Sequence, residues 1–266
     1  LTVIADEAAR VAATFQPQEV SNLLWAYAKT IGQRVASADS DDDSDVAALA
    51  ARRLYSTLLS YASSRWADFK PQELANTVWA VATVGYAADE AWWNAAVEAF
   101  DDKVIAELRA LEAHPQKRAA GGAPATVRSQ PQNVANFLWA VAKAMPASCS
   151  ESVKRRVFDD CAVSSVRRMA DFKAQELGNV AWAFATANLR RDDLFTAIAE
   201  EAIGRLREFT PQNMANILWS YATVGRGSSA LDQEFFAAVA QEAQTRMDAF
   251  KPQEVANIIW AFATAG

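Results

Sequence analysis

The chain has 266 residues, 52% hydrophobic and 22% charged, a balance that excludes a disordered or fibrous protein and leaves ample length to bury a core. With 26 Lys+Arg against 32 Asp+Glu the net charge is −6, so the chain does not coat nucleic acid by bulk charge, and any such contact must be local. Two cysteines, Cys149 and Cys161, and one histidine, His114, exclude a disulfide framework and most histidine-based chemistry and favour a reducing compartment. No run approaches the roughly 18 consecutive apolar residues of a membrane-spanning helix.

Leu1–Ala13 reads as an amphipathic helix that has lost its partner. From Phe15 the segment FQPQEVSNLLWAYAK begins, and it returns in near-copy from Phe69, Gln130, Phe172, Phe209 and Phe250. Its tryptophans, Trp25, Trp79, Trp139, Trp182, Trp219 and Trp260, are separated by 54, 60, 43, 37 and 41 residues. The period is therefore close to forty. The two long intervals contain the polar run 37–45 and the loop-like stretch 113–129, which read as insertions.

Each copy carries a written helix start. Proline suits the first helical position, an acidic or amide residue follows in the first turn, and the Phe before it is spaced from Val20, Leu74 or Met214 as one half of a hydrophobic staple. Between the copies lie second amphipathic stretches, roughly 45–66, 89–111, 151–169, 192–207 and 231–247, and strand alternation is nowhere evident. Helix pairs at this period, none able to bury its apolar face alone, predict an all-α fold: an α-solenoid of about six stacked helix-pair repeats. The expected organisation is one array over residues 1–266. It is cut at both ends, as if taken from a longer chain.

On a helical wheel Gln72, Asn76, Trp79 and Thr83 share one side, and Leu74, Val78 and Val81 the other. The polar and aromatic stripe admits two readings. It forms an RNA-contacting ladder, with amides reading base edges and Trp stacking on bases, or it packs one repeat on the next, with Trp filling the junction and Asn satisfying buried backbone. The stripe residues are Asn22, Trp25, Asn76, Trp79, Asn136, Trp139, Asn179, Trp182, Asn216, Trp219, Asn257 and Trp260. Near-identity between copies favours packing, because sequence readout requires variation. The varying positions are Glu19, Glu73, Asn133, Glu176, Asn213 and Glu254, and a second set, Leu23, Thr77, Phe137, Val180, Ile217 and Ile258.

The PQ-x-x-x-N-x-x-W-A-x-A motif and its near-forty period resemble the octotricopeptide-repeat proteins and the related helical-repeat proteins that often end in a RAP domain. The resemblance implies a nuclear-encoded protein of chloroplasts or mitochondria that binds single-stranded organellar RNA and governs transcript stability, processing or translation. It also implies the alternative of a protein-binding scaffold subunit in a large organellar complex.

Charge is uneven along the chain: residues 103–191 carry a balance of +7 and the remainder −13. Within that window Lys154, Arg155, Arg156, Arg167, Arg168, Arg190 and Arg191 are candidate phosphate contacts, with ordinary solvated helix faces as the competing reading. Other chemistry fails on its residues. Asp39, Asp41 and Asp43 imitate the start of a calcium loop, but Ser44 replaces the required glycine and Ala50 the final glutamate. Cys149 and Cys161 lack CxxC spacing and histidine companions, and His114 sits beside Pro115 in a glycine-containing linker. The chain reads as a binding module, with no catalytic residue, metal or cofactor expected.

Overall fold

The computed structural model describes residues 2–31, 46–113 and 130–266. The readings made for 37–45, for 114–129 and for His114 lie outside the described residues. Within them the fold is all-α, with twelve helices and no strand. In chain order these are α1 (Thr2–Arg10), α2 (Pro17–Ile31), α3 (Val46–Ser63), α4 (Pro71–Val84), α5 (Glu90–Ala113), α6 (Pro131–Ala144), α7 (Glu151–Val166), α8 (Ala174–Thr186), α9 (Asp192–Ile203), α10 (Pro211–Thr223), α11 (Ala230–Gln244) and α12 (Pro252–Ala265). The even-numbered helices are the six copies of the repeated segment. The odd-numbered ones are the intervening amphipathic helices.

Two compact units divide the chain, Leu1–Asn133 with Lys143–Val157, and Val134–Ala142 with Phe158–Gly266. In the first, α2 lies against α4 and α1 against α3, so that like helices form layers; α3 and α5 close the pairs behind α2 and α4. In the second, α8, α10 and α12 lie side by side while α9 and α11 pack on each other behind them. Lateral packing between even-numbered helices is more extensive than packing within a pair. Neighbouring copies therefore depend on one another, as a helical repeat requires.

The second helices end earlier than their apolar pattern suggests. Where the sequence reads helix to residues 66, 169, 207 and 247, α3, α7, α9 and α11 stop three to four residues short, and a 3-10 turn follows: Trp66–Asp68, Met169–Asp171, Leu206–Glu208 and Met247–Ala249. Each turn hands the chain to a phenylalanine in extended conformation, at φ −73° and ψ 134° for Phe69 and φ −80° and ψ 132° for Phe209. Tightening to i→i+3 bonds shortens the path between antiparallel helices and drives the ring inward. Phe69, Phe172 and Phe209 are each only 1% exposed, and full burial of such a side chain stabilises by about 1.5–3 kcal/mol. Around them the first unit stacks Tyr55 on Tyr86 and sets Trp66 edge-on to both Phe69 and Trp92. The second unit packs Phe158 on Phe184 and Phe195 on Tyr221, whose hydroxyl donates to the Phe195 carbonyl.

The same turns are tied to the preceding repeat. Arg65, Arg168, Arg205 and Arg246 each stand four residues before the extended Phe, as the residue that opens the 3-10 turn. Arg205 Nη1 donates to the Phe172 carbonyl at 3.0 Å, and Arg246 Nη2 to the Leu206 and Phe209 carbonyls at 3.1 and 2.6 Å. In the first unit Tyr61, itself bonded by Arg65, donates its hydroxyl to the Phe15 carbonyl at 2.8 Å. An extended residue has no helical partner for its carbonyl, and a side chain from the next repeat supplies one.

Candidate functional site

The even-numbered helices bury one face and leave the other at the surface. Leu74, Val78 and Val81 are fully buried, and so are Leu177, Ala181 and Phe184 at the equivalent places of α8. On the opposite side the shared glutamines, Gln18, Gln72, Gln132, Gln175, Gln212 and Gln253, are all exposed. Asn22 is exposed and the other five asparagines are half-buried. Trp25 and Trp260 are 43% and 45% exposed, with Trp79, Trp139, Trp182 and Trp219 half-buried. The stripe is therefore at once a packing seam and a surface.

Its rings meet in register. In the second unit Trp139 and Trp182 have centroids 6.1 Å apart at 34°, and Trp219 and Trp260 are 6.4 Å apart at 30°. In the first, the Lys29 ammonium lies 5.6 Å from the Trp25 ring and 5.2 Å from the Trp79 ring. Two van der Waals contacts of about 3.5 Å need about 7 Å between rings, so a planar group does not slide between paired indoles. It would lie across their exposed edges and faces.

The variable positions face elsewhere. Glu73, Glu176 and Glu254 each accept the N–H of the residue before the helix, Lys70, Lys173 and Lys251, at 2.8 Å, and Glu19 accepts that of Gln16 at 2.7 Å. In α10 Asn213 does the same for Thr210, whose hydroxyl accepts the Asn213 N–H in return. These residues are helix caps, and their type is set by the need to satisfy an orphan donor. The second set points into the core: Thr77, Phe137, Val180 and Ile217 are buried, Leu23 and Ile258 half-buried. Neither set is presented as a readout surface. With its glutamates folded back onto the helix starts, the stripe itself bears no carboxylate.

The seven basic candidates occupy both units. Lys154, Arg155 and Arg156 lie in the first turns of α7, in the first unit. Lys154 and Arg155 approach Glu151 at 3.9 and 4.0 Å, and Arg156 bonds the buried Asp101 at 2.6 Å. In the second unit Arg167 and Arg168 follow α7, and Arg168 holds the turn-opening position described above. Arg190 bonds Asp192 at 2.8 Å, and Arg191 bonds Asp159 at 2.7 Å and Asp193 at 2.9 Å. These bonds hold the Asp192 and Asp193 carboxyls below the usual aspartate range, chiefly through Arg190 and Arg191 respectively. Much of this charge is thus spent within the fold.

Three features escaped the sequence reading. Lys29 lies outside the basic window, and only the packing of α2 on α4 sets it over two indoles. The turn-opening arginines do have a signal, an Arg four residues before Phe in four repeats. The third is a buried ion pair, Arg226 to Asp232 at 2.6 Å, with Arg226 also donating to the Asp192 carbonyl at 3.1 Å. It fixes the turn between α10 and α11, where Gly227 has φ +148° and an added Cβ would overlap Ala265. Two surface grooves, one of about 420 Å³ beside Ser56, Ser60 and Trp92, the other beside Arg205 and Gln241, are lined by no stripe residue. Cys149 and Cys161 are buried; burial first, then Glu90 and Asp89, pushes the Cys149 thiol up. Among the described residues no three His, Cys, Asp or Glu side chains are grouped to hold a metal, and no helix is long and apolar enough to cross a membrane.

Fold and surface together define the class, an all-α helical-repeat protein with a repeated amide and indole stripe. A family model described as a protein of unknown function, DUF1601, is similar to residues 66–78, 194–218 and 228–259. Each matched stretch ends at the residue immediately before a repeat tryptophan, Trp79, Trp219 or Trp260. The two longer ones run from a second helix through the 3-10 turn into the following first helix. No curated protein matches the chain.

Proposed function

We propose that this chain is a binding module for single-stranded RNA, which lies along the even-numbered helices within each unit and is held by their exposed glutamines, accessible asparagines and tryptophans. The observation that carries the reading is the absence of carboxylates from that stripe in a protein of net charge −6. Repeated amides and half-exposed indoles offer hydrogen bonds and stacking to bases, the chemistry by which single strands are recognised. The near-identity of the copies makes this contact tolerant of base sequence. The resemblance of the repeated segment to octotricopeptide repeats supports a chloroplast or mitochondrial setting and a role in transcript stability, processing or translation. Binding, not catalysis, is the proposed activity.

One observation favours a scaffold that docks protein subunits of an organellar complex: the central arginines engage carboxylates of the chain itself, which leaves less free charge for phosphates. The two readings part on Trp182→Ala. On an RNA surface this variant loses about fivefold or more in affinity for single-stranded RNA, since one stacked base contributes about 1–3 kcal/mol. Unchanged RNA affinity with lowered thermal stability would make the indole a packing residue only. Crosslinking in organelle extract, followed by parallel identification of RNA and protein, then names the ligand.

A further inference from the structure

We propose that Lys29 is the phosphate contact of the α2–α4 surface, an inference that rests on reading that surface as an RNA site. Of the seven basic residues in the central window, Lys154, Arg155, Arg156, Arg190 and Arg191 approach carboxylates of their own unit, and Arg168 opens an inter-repeat turn. Lys29 differs from all of these. It is exposed, it has no carboxylate partner among the described residues, and its ammonium rests over the rings of Trp25 and Trp79 at 5.6 and 5.2 Å. A cation–π contact of this exposed kind contributes about 0.5–1 kcal/mol and fixes the ammonium in place without neutralising it. Its N–H donors remain available to an anion.

Position gives the ammonium its ligand. Gln18, Asn22, Trp25 and Lys29 follow one another at helical spacing along α2, and all four are exposed. A strand whose bases meet Trp25 and the two amides carries its phosphodiester past Lys29. Glu19, ten residues before Lys29 on the same helix, is held by the Gln16 N–H at the helix start, away from the end of α2 that carries Lys29. The position four residues after the tryptophan holds Lys or Thr in every copy, and Thr186, Thr223 and Thr264 are exposed. Each of these hydroxyls can donate to a phosphate oxygen, but only a lysine adds charge. A point charge on a phosphate reads no base, so Lys29 supplies affinity and salt dependence and leaves sequence preference unchanged.

The test titrates fluorescent oligouridylate and oligoadenylate with the full 266-residue chain and with Lys29→Gln, Lys29→Arg and Arg155→Gln/Arg156→Gln at two salt concentrations. Lys29→Gln is expected to weaken both RNAs by a similar factor, about three- to tenfold. It should also lower the slope of log affinity against log salt by about 0.7, the release from one single-strand phosphate. Lys29→Arg retains the slope, and the double arginine variant leaves it at the wild-type value. A wild-type slope in Lys29→Gln, with thermal unfolding unaltered, overturns the role of Lys29 while the RNA reading stands. If the wild-type chain binds neither RNA, both are overturned.

Discussion

At the scale of single residues the most consequential polar contact is buried, not displayed. Arg226 and Asp232 are 7% and 2% exposed at their side chains and satisfy each other in the turn between α10 and α11. Burial pushes the Asp232 carboxyl up, yet the hydrogen bonds from Arg226 and Ser229 and the Arg226 charge outweigh it and hold the group below the usual aspartate range. A depressed folded-state pKa contributes stability that is complete above the unfolded value, about 3.9, and is lost as pH falls through the folded value. Thermal midpoints measured from pH 7 to pH 2 should therefore drop in the acid range. Asp232→Asn should shrink that drop and lower stability at pH 7 by up to about 3 kcal/mol, because it leaves the buried guanidinium only the exposed Asp192 carboxylate, 3.3 Å away, as counter-charge. The pair was not legible in the sequence. An Arg and an Asp six residues apart in a loop are ordinary until the turn at Gly227 brings them together.

Four repeat junctions, at the scale of elements, share one order of second helix, arginine, 3-10 turn, extended phenylalanine and first helix. Proline starts and periodic apolar residues made the first helices readable, since capping and the 3.6 period act within a few residues. The 3-10 turns were not readable, because an apolar residue such as Trp66 or Leu206 fits the end of an amphipathic helix as well as a turn beneath it. The arginine clamps explain why such residues recur without any ligand. Arg246→Gln should cost about 1–3 kcal/mol in urea unfolding, since it leaves the Leu206 and Phe209 carbonyls short of a donor. Arg155→Gln, whose charge faces Glu151 at 4.0 Å on the surface, should change stability by less than about 0.5 kcal/mol. Equal losses would remove the clamp from the account of junction stability.

Across the whole molecule, stability follows from neighbours. α10 is flanked by α8 and α12 and buries Met214, Ala215, Ile217, Leu218 and Tyr221, whereas α12 buries only Ala261 and exposes Ile259, Trp260 and Phe262. In a repeat array the helix with fewer interfaces opens at lower free energy. Amide hydrogen exchange on this 266-residue chain should accordingly be fastest in α12 and slow in α10, and equal protection of the two would contradict nearest-neighbour stabilisation. What the sequence determined by itself was the class of fold. Six copies of one segment, each with a proline start and one apolar face, specify helix pairs that must stack, because these signals depend on spacing along the chain. What the tertiary structure alone decided was which side chains are left for a partner. Glutamates that look like readout positions serve as caps, most arginines that look like phosphate contacts engage carboxylates of the chain, and Lys29 rests over two indoles. Caps and ion pairs two to four residues apart depend on side-chain conformation, and those of Arg156 with Asp101 and Arg191 with Asp159 join residues 55 and 32 apart, so the folded structure and not the spacing reveals them.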